Sequence, residues 1–528
     1  MNENETKTKN EPPADHVPLK AWIGIYGAML GAFMAVLDIQ ITNSSLKDIQ
    51  GALGASLDEG SWISTAYLVA EIIVIPLTGW LSQVFSIKRY IMVNALLFTI
   101  FSMLCGQAYD LTSMIIFRAC QGFTGGVLIP MAFTVMLTKL PQSKRPIGMA
   151  LFTITATFAP AIGPSLGGYI TDNFGWQYIF YLNILPGILM LACIYFAFEA
   201  EPMRLDLLKK GDYLGILFMA IGMSSLEIVL EEGNRKDWFG NEVILNLAIT
   251  ALISLTLFFI TEFTVKNPFI NLRLLSNRNF GLAGIVNVVM GLGLYGSVFI
   301  LPLYLGQIQG YSSLQIGEVM MWAGIPQLFM IPIIVILMKK MDMRLMIGIG
   351  VFTLATSFFM NTTMNHDTGR DQLVLSLALR SFGQPFIFVP LSSLSIATIP
   401  ASQAGSASGL YNMMRNLGGS IGIAMLSTLL TWREQLHSLR IGEHVSIYEP
   451  ATRQALLAYT AMTSHKNVHA FEYGSQALQI LGASIKREAF VMAFNDCFYV
   501  MGMAFVLSSF TVVFFNKVKA TSTSSEMH

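Results

Sequence analysis

Six charged residues stand inside stretches that are otherwise apolar. Asp38 lies in Leu37-Asp-Ile-Gln-Ile-Thr-Asn43, Glu71 between Ala70 and Ile72-Ile-Val-Ile75, and Glu227 in Ser224-Ser-Leu-Glu-Ile-Val-Leu230. Arg118, Arg380 and Arg415 are the basic counterparts. A carboxyl in an apolar bundle can be charged or neutral according to the side it faces, which is the chemistry that couples a transport step to a proton. Asp38 and Glu71 are therefore the candidate proton carriers, and Glu71 is the sharper oddity because no basic residue lies within a turn or two of it in sequence. Glu227, Arg118 and Arg415 are candidate substrate or gating residues. Each has a plainer reading. Asp38 could bond among Gln40, Thr42, Asn43 and Ser44, Glu227 could serve packing, and the arginines could donate to carbonyls of neighbouring helices. Asp38 and Arg118 sit at similar depth in their segments, so a bonded or charge-coupled relation between them is open.

Other chemistries find little support. No Gly-x-x-x-x-Gly-Lys-Ser/Thr loop is present to cradle a nucleotide phosphate, and Gly405-Ser-Ala-Ser-Gly409 carries Ala407 where a nucleophile elbow needs serine. Cys105, Cys120, Cys193 and Cys497 have no paired spacing. His465 and His469 have helical ligand spacing but no further ligands, so no metal is expected. No cofactor is implied. With no cluster of catalytic side chains, an enzyme is not expected, and the lack of a long basic block leaves no surface for nucleic acid.

The elements that must position these charges are membrane spans. The chain is 54% hydrophobic and only 12% charged, with zero net charge and a mean hydropathy of +0.58, far from the composition of a soluble domain. About fourteen apolar runs are each long enough for the roughly 20 residues of a spanning helix. They predict an all-α polytopic membrane protein. Residues 1–20 read as a disordered cytoplasmic tail, 21–198 as a six-helix bundle, 213–264 as two inserted helices, and 281–515 as a second six-helix bundle. That second unit includes an outer segment over 432–489, and 516–528 read as a second cytoplasmic tail. With both termini cytoplasmic, the inner segments hold nineteen Lys and Arg and the short outer loops hold four, which the positive-inside rule favours.

Two features divide and join these spans. Arg118-Ala-Cys-Gln-Gly-Phe-Thr-Gly-Gly leads through Pro130 and a short loop to a Gly/Pro-rich helix. Later Arg380-Ser-Phe-Gly-Gln-Pro leads through Pro390 and a short loop to Arg415-Asn-Leu-Gly-Gly-Ser-Ile-Gly422. Parallel repeats of this kind build one large class of secondary transporters, with the substrate site between the halves. The Gly/Pro stretch Ala159–Tyr169 puts Ala159, Gly163 and Gly167 on one row and Pro160, Pro164 and Gly168 on the next. It predicts a close-packed helical seam between the two bundles or, equally, a plain packing helix of small residues.

These residues resemble the major facilitator superfamily, and within it the fourteen-helix drug:proton antiporter branch of EmrB/QacA-like multidrug exporters. The likeness rests on Leu37–Asn43, Pro76-Leu-Thr-Gly-Trp-Leu81, Phe117-Arg-Ala-Cys-Gln-Gly122, Ile162-Gly-Pro-Ser-Leu-Gly-Gly168 and Arg415–Gly422. It implies the major facilitator fold and proton-coupled export of amphipathic drugs from the bacterial cytoplasmic (inner) membrane, with Gly163, Pro164, Gly167 and Gly168 as the antiporter motif. One departure concerns the loop after the second span, where the family pattern is Gly-x-Leu-x-Asp-Arg-x-Gly. Here Gln83 replaces the acid and Ser86 the last glycine, so the usual ion-paired latch is not expected. The resemblance also implies a periplasmic adaptor protein and an outer-membrane channel as partners. The long outer segment would meet the adaptor, and two stretches in it, 451–459 and 473–481, have apolar residues at helical spacing that predict short amphipathic helices. The alternative function is export of one specific metabolite, such as a siderophore or a fatty acid.

Overall fold

A computed structural model describes residues 17–517 apart from 142–143, 200, 266–267, 398, 401–402 and 465–472. His465, His469, residues 1–16 of the first expected tail and 518–528 of the second lie outside the described residues. Leu19 already begins a helix.

The described residues form helices and their connections, with no strand among them. In the hydrocarbon phase no water can satisfy backbone groups, so long apolar runs close their hydrogen bonds internally as helices. The first half comprises α1 (Leu19–Ser44), α2 (Trp62–Phe85), α3 (Ile87–Cys105), α4 (Leu111–Lys139), α5 (Arg145–Phe174) and α6 (Tyr178–Ala197). The inserted pair is α7 (Tyr213–Glu232) and α8 (Glu242–Thr264). The second half comprises α9 (Arg278–Gln307), α10 (Ser313–Leu337), α11 (Met343–Met360), α12 (Arg370–Ile396), α13 (Ala404–Glu443) and α15 (Tyr473–Val512), with α14 (Pro450–Ser464) between the last two. Helix starts follow local chemistry: Asp110 exchanges hydrogen bonds with Ser113 to open α4, and Ser312 does the same with Gln315 to open α10.

Thirteen helices among the described residues are long and apolar enough to cross a membrane. The fourteenth expected span, α13, is not among them. It carries Asn412, Arg415, Asn416 and Ser420, polar residues that lower its hydropathy because they face other helices. It packs along α9 and α15 in its own half and along α2 and α4 in the other.

Successive helices alternate in direction. One face of the molecule carries the short basic connections, where Arg278 donates to the carbonyl of Phe514 at 2.8 Å and Arg344 to that of Phe515 at 3.2 Å. The opposite face carries a crown. There α13 and α15 run to 40 residues each, roughly 60 Å at 1.5 Å per residue against a hydrocarbon core of about 30 Å. The expected helix over 451–459 is present within α14. The stretch 473–481 is instead the opening of α15, whose helix continues through Lys486-Arg487-Glu488 into the last span. Asp496 of α15 accepts from Arg433 at 2.5 Å and lies 2.7 Å from His437, both on α13, and Tyr459 lies 3.2 Å from Ser484. The described part of the crown is thus mostly helical bracing.

The Gly/Pro helix α5 continues through Pro160 and Pro164. Its glycine row faces α1 inside the first half, not the seam between halves. A side chain at Gly163 would strike Gln40, and one at Gly167 would strike Ser44 and the backbone of Ile41. The face of α5 that meets the second half carries Phe158, Ala161 and Ser165, set against Gly324 and Gly317 of α10. A row of glycines specifies close approach without naming the neighbour.

Candidate functional site

Asp38, on α1, is buried at the centre of a hydrogen-bond network. One carboxylate oxygen accepts from Arg118 Nη1 at 2.5 Å. The other accepts from Gln121 Nε2 at 3.0 Å and Asn183 Nδ2 at 2.7 Å. Arg118 in turn donates through Nε to the carbonyl of Ile63 at 3.2 Å and stacks over Tyr67, 4.4 Å from its centroid. Asn183 also donates to Ser102, which donates to the carbonyl of Phe180. Five helices meet through these side chains: α1, α2, α3, α4 and α6. The Asp38 carboxylate does not bond to its local neighbours Gln40, Thr42, Asn43 or Ser44, of which Thr42 donates to the Asp38 backbone carbonyl at 2.7 Å, and Arg118 combines the carbonyl contact with the carboxylate. Sequence reasoning missed Gln121 and Asn183. The i, i+3 spacing of Gln121 from Arg118 was the available signal for the first; nothing local marked the second.

Glu71, on α2, is 3% exposed and has no hydrogen-bond partner among the described residues. A carboxylate so placed is expensive unless neutralised. It approaches α4 at Gly126, where an added methyl would meet the Glu71 side chain and backbone. Arg415 lies within coulombic range of it, across the seam between halves. Arg415 is itself buried: Nη2 donates to Asn412 at 2.9 Å, and Nε and Nη1 have no partner among the described residues. Its guanidinium faces Phe152 of α5 at 5.7 Å and Phe388 of α12 at 6.0 Å.

Glu227, on α7, belongs to the same seam. Its Oε1 accepts from Ser420 of α13 at 2.8 Å, while Oε2 has no partner among the described residues. The inserted helix α7 therefore lodges against α2 and α13. A turn further on, Glu232 accepts from Ser61 at 2.7 Å and faces Arg235 and Lys236 at 3.7 and 3.9 Å. The two halves also touch directly. Ser408 donates to the carbonyl of Pro130 at 2.9 Å, and Gly79 and Gly405 approach so closely that a methyl on Gly79 would lie 2.7 Å from the Gly405 backbone. Gln83 donates to Gly79 of its own helix at 3.2 Å, so glycine contact closes the basic end in place of an ion pair. With Gly317 set against Ser165 toward the crown, the seam is shut at both ends. A buried acid without a bonded partner on α2 and a partly unbonded arginine on α13 then lie on neighbouring helices of the seam.

Comparison with known proteins agrees with this architecture. The Major Facilitator Superfamily model matches residues 28–423. The chain is 32% identical over 503 residues to the colistin resistance protein EmrB of Acinetobacter baumannii, covering 95% of this chain and 98% of that protein. It is 32% identical over 428 residues to the multidrug export protein EmrB of Escherichia coli K12, covering 80% and 82%. Among solved structures it superposes on the proton:xylose symporter XylE with a TM-score of 0.57 at 13% identity, over 94% of this chain and 95% of that one.

Proposed function

The chain belongs to the Major Facilitator Superfamily, and on that premise we propose that it is a proton-coupled antiporter exporting amphipathic drugs across the bacterial cytoplasmic membrane. The observation that carries the reading is Glu71, a buried acid with no bonded partner among the described residues, on a helix that packs along α13, the helix of Arg415, across the seam on which the two halves must move. Similarity to the two EmrB proteins supports drugs as cargo. Glu71 takes up a proton when the seam opens to the crown face and releases it when the seam opens to the basic face. Arg415 is the counter-charge that meets Glu71 whenever the two approach. Asp38, neutralised by Arg118, holds the first half together and exchanges that partner for a proton during the cycle. Glu227 and Ser420 tie the inserted helix α7 to the second half, so that substrate entry at the seam moves it. The termini and the basic face are cytoplasmic.

The crown is the docking surface for a periplasmic adaptor that leads to an outer-membrane channel. Leu457 and Met462 on α14 and Leu478 on α15 are exposed there, well beyond the length that lipid would cover. Inside-out vesicles loaded with a fluorescent cationic dye test the transport reading. An imposed pH gradient should drive dye movement and dye movement should shift lumenal pH; movement indifferent to the gradient would exclude antiport.

A further inference from the structure

Arg380 is the repeat counterpart of Arg118, and the two differ in one respect. Arg118 donates through Nε to Ile63 and through Nη1 to Asp38 and Gln121. Arg380 is 2% exposed, and its Nε and Nη2 have no partner among the described residues. Its only described interaction is with a ring, the guanidinium lying 4.9 Å from the centroid of Phe358. The missing acid can be sought on α9, the counterpart of α1 in the second half. Asp38 is the twentieth residue of α1, and the twentieth residue of α9 is Ser297. Ser297 lines the same small cavity as Arg380. The cavity beside Arg380 thus has a serine of α9 and no acid among its lining residues.

A guanidinium offers five donors and no acceptor, and it does not lose its proton in proteins. Left buried without a counter-charge it is costly, more so than an unpaired neutral group. The cavity it lines is walled by α9, α10 and α12 of the second half and by Thr157 and Ala161 of α5 from the first. Gln384, one turn along α12, accepts from Gln327 through its carbonyl oxygen at 3.2 Å, which leaves its amide nitrogen as a further donor. Leu294, Val298 and Met320 supply the apolar side. Donors at one end and apolar walls along the rest match a molecule with an anionic head and an apolar body.

We propose that Arg380 and Gln384 form a carboxylate-binding subsite at the seam, which takes the anionic head of an amphipathic substrate and so supplies the counter-charge that Asp38 supplies to Arg118. This rests on the export reading and adds a substrate class to it. In the closed arrangement the cavity has room for about one water molecule, so the head enters when α5 and α10 draw apart. A permanently charged arginine there and a titrating Glu71 elsewhere on the seam let one protein accept anionic and cationic amphiphiles at different places.

The test is binding to the purified full-length protein, using the fluorescent carboxylate dansylaminoundecanoate and its primary amide. The wild type should bind the carboxylate about tenfold more tightly than the amide, the scale of one charge-assisted hydrogen-bond pair. Arg380→Gln should bring the two affinities together by weakening the carboxylate alone, with the amide held within about twofold on the same scale. No preference in the wild type, or equal weakening of both probes by Arg380→Gln, overturns the subsite. Should that variant fail to fold, Arg380→Lys keeps the charge and loses the forked geometry. A reduced preference with unchanged amide affinity then supports the subsite, and an unreduced preference overturns it. Proton-driven efflux of a rhodamine cation separates the two readings. If the cation is pumped and the carboxylate preference is absent, export stands and the subsite falls. If the preference is present and no cation is pumped, the subsite stands and the export reading falls.

Discussion

At the scale of single residues, the two candidate proton carriers stand in opposite circumstances and should respond differently to the same kind of replacement. Asp38 balances Arg118 in the dry interior of the first half, so Asp38→Asn leaves a buried guanidinium without its counter-charge. Breaking a buried pair costs about 3–5 kcal/mol. The introduced amide would still bond to part of the network, so the lower end is expected as a fall in thermal unfolding temperature in detergent, together with loss of proton-coupled efflux. Glu71 bonds to nothing described, so Glu71→Gln should change stability by less than about 1 kcal/mol while coupling fails and cationic substrates suffer most. If instead Glu71→Gln unfolds the protein and Asp38→Asn is silent, the assignment of roles is reversed. Both acids were legible in the sequence because an ionisable residue in an apolar run is conspicuous whatever its partner. Asn183 and Ser420 were not, because an amide or hydroxyl in a span gives no sign of which carboxylate it reaches.

At the scale of elements, the turn between α2 and α3 and the packing of α5 carry measurable consequences. Ser86 has φ of 70° and ψ of 147°, a conformation essentially confined to glycine, and its buried hydroxyl has no partner among the described residues. Such strain costs about 1–3 kcal/mol. The family pattern has glycine at this place, which gives that glycine a conformational meaning: the chain must reverse there within one residue. Ser86→Gly should therefore raise stability by about 1 kcal/mol, read as a higher midpoint of thermal unfolding; a lower midpoint would mean that the serine makes a contact worth more than the strain. In α5 the two motif glycines are not equivalent. A branched side chain at Gly163 meets Gln40 Cβ, which cannot rotate away, whereas one at Gly167 first meets the hydroxyl of Ser44, which can. Gly163→Val should accordingly cost more stability than Gly167→Val, within the range of about 1–3 kcal/mol for overpacking, and both should slow transport by prying α5 from α1. Equal and normal efflux from both variants would make the row mere filler. The glycine spacing predicted a close approach, but it could not choose between a partner helix in the same half and one across the seam.

At the scale of the whole molecule, the crown and the seam are separable. Replacing 451–463 with a flexible Gly/Ser linker removes most of α14 and leaves α13 and α15 braced by Arg433, His437 and Asp496. Dye efflux from isolated vesicles should survive, while drug resistance of whole cells should fall severalfold; loss of both would make α14 a lid over the pump's own exit. The class of molecule is legible in one dimension, since about fourteen apolar runs alternating with basic loops admit a bundle of spanning helices and little else. Their order, the internal repeat and the positions of buried charge are local or periodic features, and these survive in one dimension. What the tertiary structure decided were the pairings. It brought Asp38 to Arg118 across 80 positions and Glu227 to Ser420 across 193, it placed α7 within the seam, and it left Arg380 without an acid among the described residues. A helix satisfies its own backbone whichever neighbour it meets, so periodicity along the chain is silent about which faces are brought together. The choice falls to side-chain shape and charge acting between segments far apart in sequence, and only the packed molecule contains it.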